Sequence, residues 1–169
     1  QHASDRILRR MGRRTSKEQL VSLIRTLRER IPDIVLRTTL ITGFPGETQE
    51  DHEELMEFVN DMEFDRLGVF TYSQEEDTPA AGMPDQIEEE VKEERQAELM
   101  ELQQEISLEK GQARIGQKML VMIEGKVADE NAYVGRTYGD APKVDVKIFV
   151  QTGELLMSGD FVEFRVTGA

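Results

Sequence analysis

The stretch from Val35 to Glu47 constrains the fold more than any other, because it changes from a strand pattern to a turn within a few residues. Its first part, up to Thr42, is rich in Val, Ile, Leu and Thr and contains no Gly or Pro, which is typical of a buried parallel strand. The following Gly43-Phe44-Pro45-Gly46 cannot continue that strand, since Pro lacks a backbone donor and Gly favours tight backbone. Thr48 and the acids after it then predict a helix start. This unit indicates either a ligand-binding turn of a βα architecture or a tight turn of purely structural use.

The other elements of residues 1–114 alternate with this unit. Capping residues and apolar spacing predict four helices and two strands. The predicted helices are Asp5–Met11, Ser16–Arg30, Gln49–Met62 and Asp85–Ala113, and the predicted strands are Val35–Thr42 and Arg66–Tyr72. Such alternation implies neighbouring parallel strands with right-handed crossovers. We expect the last helix to connect two domains, with Ile87, Val91, Leu99, Leu102 and Ile106 forming its apolar stripe.

After Gly116 the hydrophobic pattern changes its period. Short apolar segments separated by Gly, Asp and Asn predict the strands Met119–Ile123, Ala132–Val134, Val144–Val150 and Phe161–Val166. Their lengths and spacing are typical of a small antiparallel barrel or sandwich. The sequence therefore predicts an α/β domain over residues 1–114, including the long connecting helix, and an all-β domain over residues 115–169.

The charge is distributed unevenly along the chain. The net charge is −13, with +6 on residues 1–37, −17 on residues 38–114 and −2 on residues 115–169. The acidic middle argues against a broad nucleic-acid footprint, which needs positive charge facing phosphates. It is compatible with a basic partner or with helix faces that keep the protein soluble.

Residue types also limit the chemistry that this chain can perform by itself. It contains no cysteine, which excludes disulfides and thiolate metal sites. His2 and His52 are the only histidines and have no predicted second ligand, so we predict no metal site. No apolar run is long enough to span a membrane, and no signal peptide is visible. The chain begins without Met, and we expect it to be a fragment of a longer protein.

Several segments together resemble the methylthiotransferase branch of the radical S-adenosylmethionine (SAM) enzymes. The segments are Gln1–Leu8 with Met11 and Arg13, Leu36–Thr39 with Gly43–Thr48, and Phe70–Glu75 with Thr78 and Ala80. Residues Val134–Tyr138, Asp140–Pro142 and Asp145 are similar to the family's RimO type, which modifies a small-subunit ribosomal protein. The resemblance implies the C-terminal part of a radical SAM partial (β/α) barrel, followed by a TRAM domain, a small OB-like antiparallel β-barrel.

The resemblance also implies an activity and its cofactors. The full-length enzyme would be a cytoplasmic methylthiotransferase that modifies the β-carbon of an aspartate in a basic ribosomal protein. It would use SAM and two 4Fe-4S clusters, whose cysteine ligands are absent from this chain. We therefore expect no catalytic residue in this fragment, and we expect the fragment alone to be inactive.

The resemblance assigns two groups of binding residues. The expected SAM-binding residues are Ile41, Gly43, Phe44, Pro45, Gly46 and Glu47. Arg37 and Arg13 are further candidates at the same active-site mouth of the partial barrel. The expected substrate-binding residues are Tyr72, Ser73, Glu75, Glu76 and Asp77, in an acidic loop after the second strand.

Two other functions remain open at this stage. One is a transfer-RNA methylthiotransferase, although the near-neutral charge of residues 115–169 weighs against it. The other is a free-standing adaptor in which residues 115–169 bind RNA or protein. The isolated strand pair weighs against an adaptor, because two strands alone do not make a stable sheet.

Overall fold

The computed structural model describes residues 1–128 and 130–169 and divides into two compact units. The first unit is Gln1–Glu109 and the second is Lys110–Ala169, so the boundary falls within the last helix. Each unit has an apolar core of its own. Within the described residues, no helix is both long enough and apolar enough to cross a bilayer.

The first unit alternates helices and strands in the predicted order. Its elements are α1 (Asp5–Arg10), α2 (Lys17–Arg30), β1 (Arg37–Thr42), α3 (Gln49–Met62), β2 (Arg66–Thr71), a short 3-10 helix (Pro79–Gly82) and α4 (Glu89–Ala113). The predicted capping box at the start of α2 is present, because Ser16 and Gln19 exchange side-chain and backbone hydrogen bonds. A second capping box joins Thr48 and Asp51 at the start of α3.

The two strands are adjacent and parallel, as predicted, and Thr42 pairs with Thr71 at their carboxyl ends. One face of the pair is covered by the helices, where Leu40 and Val69 are buried. The opposite face is open, and Phe70 on it is 61% exposed. Alternation of side chains along a strand produces this division.

Two elements of the first unit begin at least two residues later than predicted. The strand predicted from Val35 begins at Arg37. The helix predicted from Asp85 begins at Glu89. Asp85 has a left-handed backbone with φ of 63°, and its carbonyl accepts a hydrogen bond of 2.8 Å from the Gly46 N–H. A contact made with a distant turn therefore overrides the local capping signal.

The buried stripe of helix α4 includes Leu99 and Ile106 of the predicted stripe but not its other members. Its buried residues are Lys92, Arg95, Leu99, Gln103 and Ile106. The predicted positions Ile87, Val91 and Leu102 are only half-buried. The spacing of the buried residues is helical, but two of them are cations, which hydrophobic periodicity does not detect.

The second unit is a curled antiparallel sheet that forms a half-barrel. Its strands are β3 (Lys118–Lys126), β4 (Ala132–Arg136), β5 (Ile148–Gln151) and β6 (Phe161–Arg165), in the order β5-β4-β3-β6. These elements confirm the predicted class, α/β plus all-β. The strand predicted from Val144 starts only at Ile148, because Asp145 is held in a turn by hydrogen bonds with Ala141.

Candidate functional site

The Gly43–Glu47 turn and Tyr72 lie at the same edge of the strand pair. The turn follows β1 directly, Tyr72 follows β2 directly, and the Tyr72 N–H donates to the Thr42 carbonyl at 2.9 Å. The rings of Phe44 and Tyr72 pack edge to face with centroids 5.3 Å apart. The structure therefore brings the predicted SAM turn together with the first residue of the predicted substrate loop.

Two glycines permit the shape of this turn. Gly43 has φ of 72° and Gly46 has φ of 80°, a region that side chains with a Cβ rarely adopt. A Cβ on Gly43 would lie 2.3 Å from Cγ of Lys92, and a Cβ on Gly46 would lie 2.9 Å from Cζ of Arg10. Gly43 therefore needs glycine for its backbone conformation and for close approach, whereas Gly46 needs it for its backbone conformation, since the guanidinium end of Arg10 can shift.

Glu47 fixes the turn from inside. Its buried carboxylate accepts hydrogen bonds from the Gly43 N–H at 2.8 Å, the Thr42 hydroxyl at 3.2 Å and the Arg95 guanidinium at 2.9 Å. Burial raises the pKa of Glu47, but the contact with His2, the charge of Arg95 and the Gly43 N–H together hold that pKa below its ordinary value. Contact of this carboxylate with SAM would require it to leave those partners.

His2 completes the surroundings of Glu47. Its Nδ1 accepts the Ser4 N–H at 3.0 Å, so the neutral ring carries its proton on Nε2. That Nε2 lies 3.4 Å from Oε2 of Glu47, and both side chains are fully buried. His2 is thus a structural partner of the turn.

Asp51 holds the segment before α1 against the start of α3. It accepts hydrogen bonds from the Ser4 hydroxyl at 2.6 Å and from the N–H and hydroxyl of Thr48, each at 2.9 Å, and it pairs with Arg6. Burial raises the pKa of Asp51, but the hydrogen bonds from Ser4, Thr48 and Arg6 outweigh burial and lower it to about 2. Arg6, in the first turn of α1, also donates to the Gly46 carbonyl at 2.7 Å, which ties this helix to the turn.

We predict that Asp51 stabilises the protein by an amount that depends on pH. Its folded pKa lies below the 3.8 of an ordinary aspartate, so its contribution is present above pH 3.8 and is lost as pH falls towards 2. Urea unfolding of an Asp51→Asn variant should show a deficit of roughly 2 kcal/mol near neutral pH. Glu53→Gln, an exposed change on the same helix, is the control. A deficit that stays constant down to pH 2.5 would contradict the assignment.

The two candidate arginines lie in different places. Arg13 is exposed and lies near Gln1. The Gln1 carbonyl accepts the Ile41 N–H at 2.8 Å, which places this region beside β1. Arg37 instead opens β1 and pairs in register with Arg66. The structure therefore leaves Arg37 at the end of the strand opposite the turn, since five residues of strand span roughly 16 Å.

Ile41 lies on the open face of the strand pair, in register with Phe70. Ile41 is half-buried and Phe70 is exposed, so the two side chains provide an apolar surface below the turn. Sequence reasoning missed Phe70, although the alternation of Val69 inward and Phe70 outward was available as a signal.

The predicted substrate loop is exposed from Ser73 to Asp77. The Ser73 hydroxyl donates to the Glu75 carboxylate at 2.9 Å, and the Thr78 hydroxyl donates to the Glu75 carbonyl at 2.8 Å. Among residues 1–128 and 130–169, Glu76 and Asp77 make no side-chain hydrogen bond or ion pair. Three acidic side chains thus face solvent beside the mouth.

Sequence reasoning also missed Lys92 and Arg95, the buried cations of α4. Lys92 reaches the end of β2, where its ammonium donates to the Tyr72 carbonyl at 3.1 Å. Arg95 reaches Glu47. Their spacing of three residues, in line with the buried Leu99, was the signal that could have identified them.

Comparison with known proteins agrees with this arrangement. Residues 1–59 match the radical SAM superfamily, and residues 115–169 match the TRAM domain. The chain is 63% identical over 169 residues to a protein of Lachnoclostridium phytofermentans named ribosomal protein uS12 methylthiotransferase RimO. Proteins with the same name from Pelotomaculum thermopropionicum and Clostridioides difficile are 52% and 47% identical over 169 residues. These alignments cover 99–100% of this chain and 38% of each relative.

The strand-turn-helix unit and the appended half-barrel define a radical SAM protein with a TRAM domain. The identity to the RimO proteins extends over the whole chain rather than over one domain. Along its whole length the chain is therefore similar to radical SAM methylthiotransferases of the RimO type. It spans about two fifths of the length of the relatives that it matches.

Proposed function

We propose that this chain is part of a methylthiotransferase that modifies the β-carbon of an aspartate in ribosomal protein uS12. The observation that carries the proposal is the identity of up to 63% to proteins named for that activity, along the whole chain. A substrate of this kind places the proposed activity in the cytoplasm. That the chain is the C-terminal portion of the enzyme stays a prediction.

The residues of the turn are compatible with SAM. The left-handed backbone of Gly43 turns the chain sharply at the end of β1, and Ile41 and Phe70 provide an apolar surface next to that turn. We propose that the main chain of Gly43 and Phe44 and the side chain of Ile41 hold the adenosine, while Glu47 fixes the turn. SAM, when bound, supplies the radical that removes hydrogen from the target carbon.

The iron–sulfur clusters do not fit this chain. Their ligands are cysteine thiolates, and the sequence contains no cysteine. We propose that the rest of the full-length protein holds both 4Fe-4S clusters. The share of this chain is to bind and orient SAM and to present the protein substrate.

The test uses the full-length protein with reconstituted clusters, SAM, a reductant and purified uS12 under anaerobic conditions. The expected result is one methylthio group on an aspartate of uS12, located by tandem mass spectrometry. Transfer RNA is offered in a parallel reaction, and its nucleosides are analysed. A methylthiolated nucleoside with unmodified uS12 would overturn the proposal in favour of the transfer-RNA enzyme.

The 169-residue chain alone should be inactive in the same assay. Without cysteine it has no ligands for the cluster that reduces SAM. The measurement is 5′-deoxyadenosine after anaerobic treatment with iron and sulfide, compared with an iron-free control. Product above that control would refute this prediction.

RNA is the alternative partner for the second unit. The outward face of the sheet carries Phe149 and Phe161, which are 70% and 65% exposed, and exposed aromatic rings on a sheet can stack on bases. Against this, residues 115–169 have a net charge of −2. We propose a basic protein as the main partner, since phosphate binding needs a positive surface.

We predict that the acidic loop accelerates association with the basic substrate. Changing Glu75, Glu76 and Asp77 to Gln, Gln and Asn should slow association, mostly at low salt, because screening weakens steering between charges. Stopped-flow rates between roughly 50 and 300 mM salt measure the effect. The matched control neutralises the exposed Glu101, Glu105 and Glu109 on α4. Equal slowing by both triple variants would contradict a specific role of the loop.

A further inference from the structure

Lys92 is a buried cation whose surroundings differ from those of an ordinary structural lysine. The residue is only 6% exposed, and its ammonium donates to the Tyr72 carbonyl at 3.1 Å and pairs with Glu89 at 3.0 Å. The ammonium also lies 5.6 Å from the centroid of the Tyr72 ring. Burial of an ammonium is costly unless such partners compensate it, so its position is well determined.

The methylene stem of Lys92 contacts the turn that follows β1. A Cβ added to Gly43 would lie 2.3 Å from Cγ, 2.9 Å from Cδ and 3.0 Å from Cβ of Lys92. The methylene chain therefore rests on the Gly43 main chain, on the side that glycine leaves open. No other residue type at position 43 would allow the stem to lie there.

One side chain thus spans the ends of both strands. Gly43 is the first residue after β1 and Tyr72 is the first residue after β2, and the strands end in register. The stem touches the first of these residues and the ammonium holds the second. Gly43 belongs to the turn proposed for SAM, and Tyr72 opens the loop proposed for the protein substrate.

We propose that Lys92 is a positioning residue that couples the SAM turn to the substrate loop, an inference that rests on the proposed function. The methylene stem fixes the position of the Gly43 main chain. The ammonium fixes the position of Tyr72 relative to Gly43. Lys92 does not contact the reacting atoms. Without Lys92, SAM cleavage should continue while methylthio transfer falls, because the target carbon is no longer held at a fixed distance from the SAM turn.

The test compares two variants of the full-length protein. Lys92→Met keeps most of the stem and removes the ammonium, so amide exchange after β2, at residues 72–74, should be roughly tenfold faster while residues 43–47 stay protected. Lys92→Ala removes the stem as well, so both segments should exchange faster and the SAM dissociation constant should rise. Lys126→Met, the same change at an exposed strand end, is the control and should behave as the parent protein.

The second readout is the ratio of 5′-deoxyadenosine formed to methylthio groups transferred. We expect Lys92→Met to raise this ratio several-fold with nearly unchanged SAM binding. Lys92→Arg, which keeps a cation, should give a ratio between those of the parent protein and Lys92→Met. A proportional loss of both products would show a merely structural role and overturn the inference, as would unchanged exchange at residues 72–74. If the parent protein fails to cleave SAM, the proposed function fails, while the exchange measurement without SAM still tests the contact itself.

Discussion

Replacing Arg95 by Met should lower the free energy of unfolding by about 3 to 5 kcal/mol, the largest effect that we expect from one substitution. The loss arises because the Glu47 carboxylate would stay buried without its counter-ion. Glu47 is fully buried, and its carboxylate would lose the guanidinium that lies 2.9 Å away. A buried carboxylate without its counter-ion costs far more than a surface ion pair contributes. Urea unfolding of the full-length protein measures the change.

The matched control is Lys17→Met. Lys17 pairs with Glu54 and Glu57 at 3.3 and 3.5 Å, but both partners are partly exposed, so the expected loss is below about 1 kcal/mol. The deficit of the Arg95 variant should also shrink as the pH falls, because protonation of Glu47 removes the buried charge. Equal losses for the two variants would contradict the central role of the Arg95–Glu47 pair.

Gly43→Ala should have the second largest effect, with a loss of roughly 2 to 4 kcal/mol. About 1 kcal/mol comes from the left-handed backbone, and the remainder comes from overpacking against Lys92. A methyl group would lie 2.3 Å from the Lys92 Cγ, so either the helix or the turn must move. The same movement should weaken SAM binding by the full-length protein.

Gly12→Ala separates the two contributions. Gly12 has φ of 74°, nearly the same as Gly43, but nothing lies within 4 Å of an added Cβ. Its substitution should therefore cost only about 1 kcal/mol. Urea unfolding of both variants gives the difference, which measures the close approach alone. A Gly43 variant no less stable than the Gly12 variant would show that the Lys92 contact is not tight.

The order of elements and the parallel pairing could be predicted from the sequence because they depend on local patterns. The run from Leu36 to Thr42 and the segment from Arg66 to Thr71 are apolar and β-branched, and the glycines and Pro45 interrupt the first of them. The change of pattern near Gly116 similarly predicted the second, all-β part of the chain. In both cases side-chain periodicity and backbone limits decide the outcome within a few residues.

The supports of the turn could not be predicted in the same way, because they come from distant positions. His2, Arg95 and Lys92 reach the turn from both sides of the sequence, and each is polar, so hydrophobic periodicity ignores it. Glu47 was predicted as a SAM-binding residue because the family resemblance assigns the whole Gly43–Glu47 turn to SAM. The structure gives its carboxylate internal partners instead, and its predicted role towards SAM stays a prediction.

Arg37 shows the limit of an argument from the family resemblance alone. It lies in the stretch that carries the resemblance, yet it opens β1 and is separated from the turn by the length of the strand. The strand's own geometry, about 3.3 Å per residue, was sufficient to place it away from the mouth.

We propose that the Gly43–Glu47 turn is the SAM site and that the buried contacts around it fix its shape. A crystal structure of the full-length protein with SAM bound tests this most directly. We predict that the adenosine lies within about 4 Å of the Gly43 and Phe44 main chain and of Ile41, with Glu47 still on Arg95 and the Gly43 N–H. An adenosine bound elsewhere, or a Glu47 carboxylate that has left these partners to hold SAM, would contradict the account.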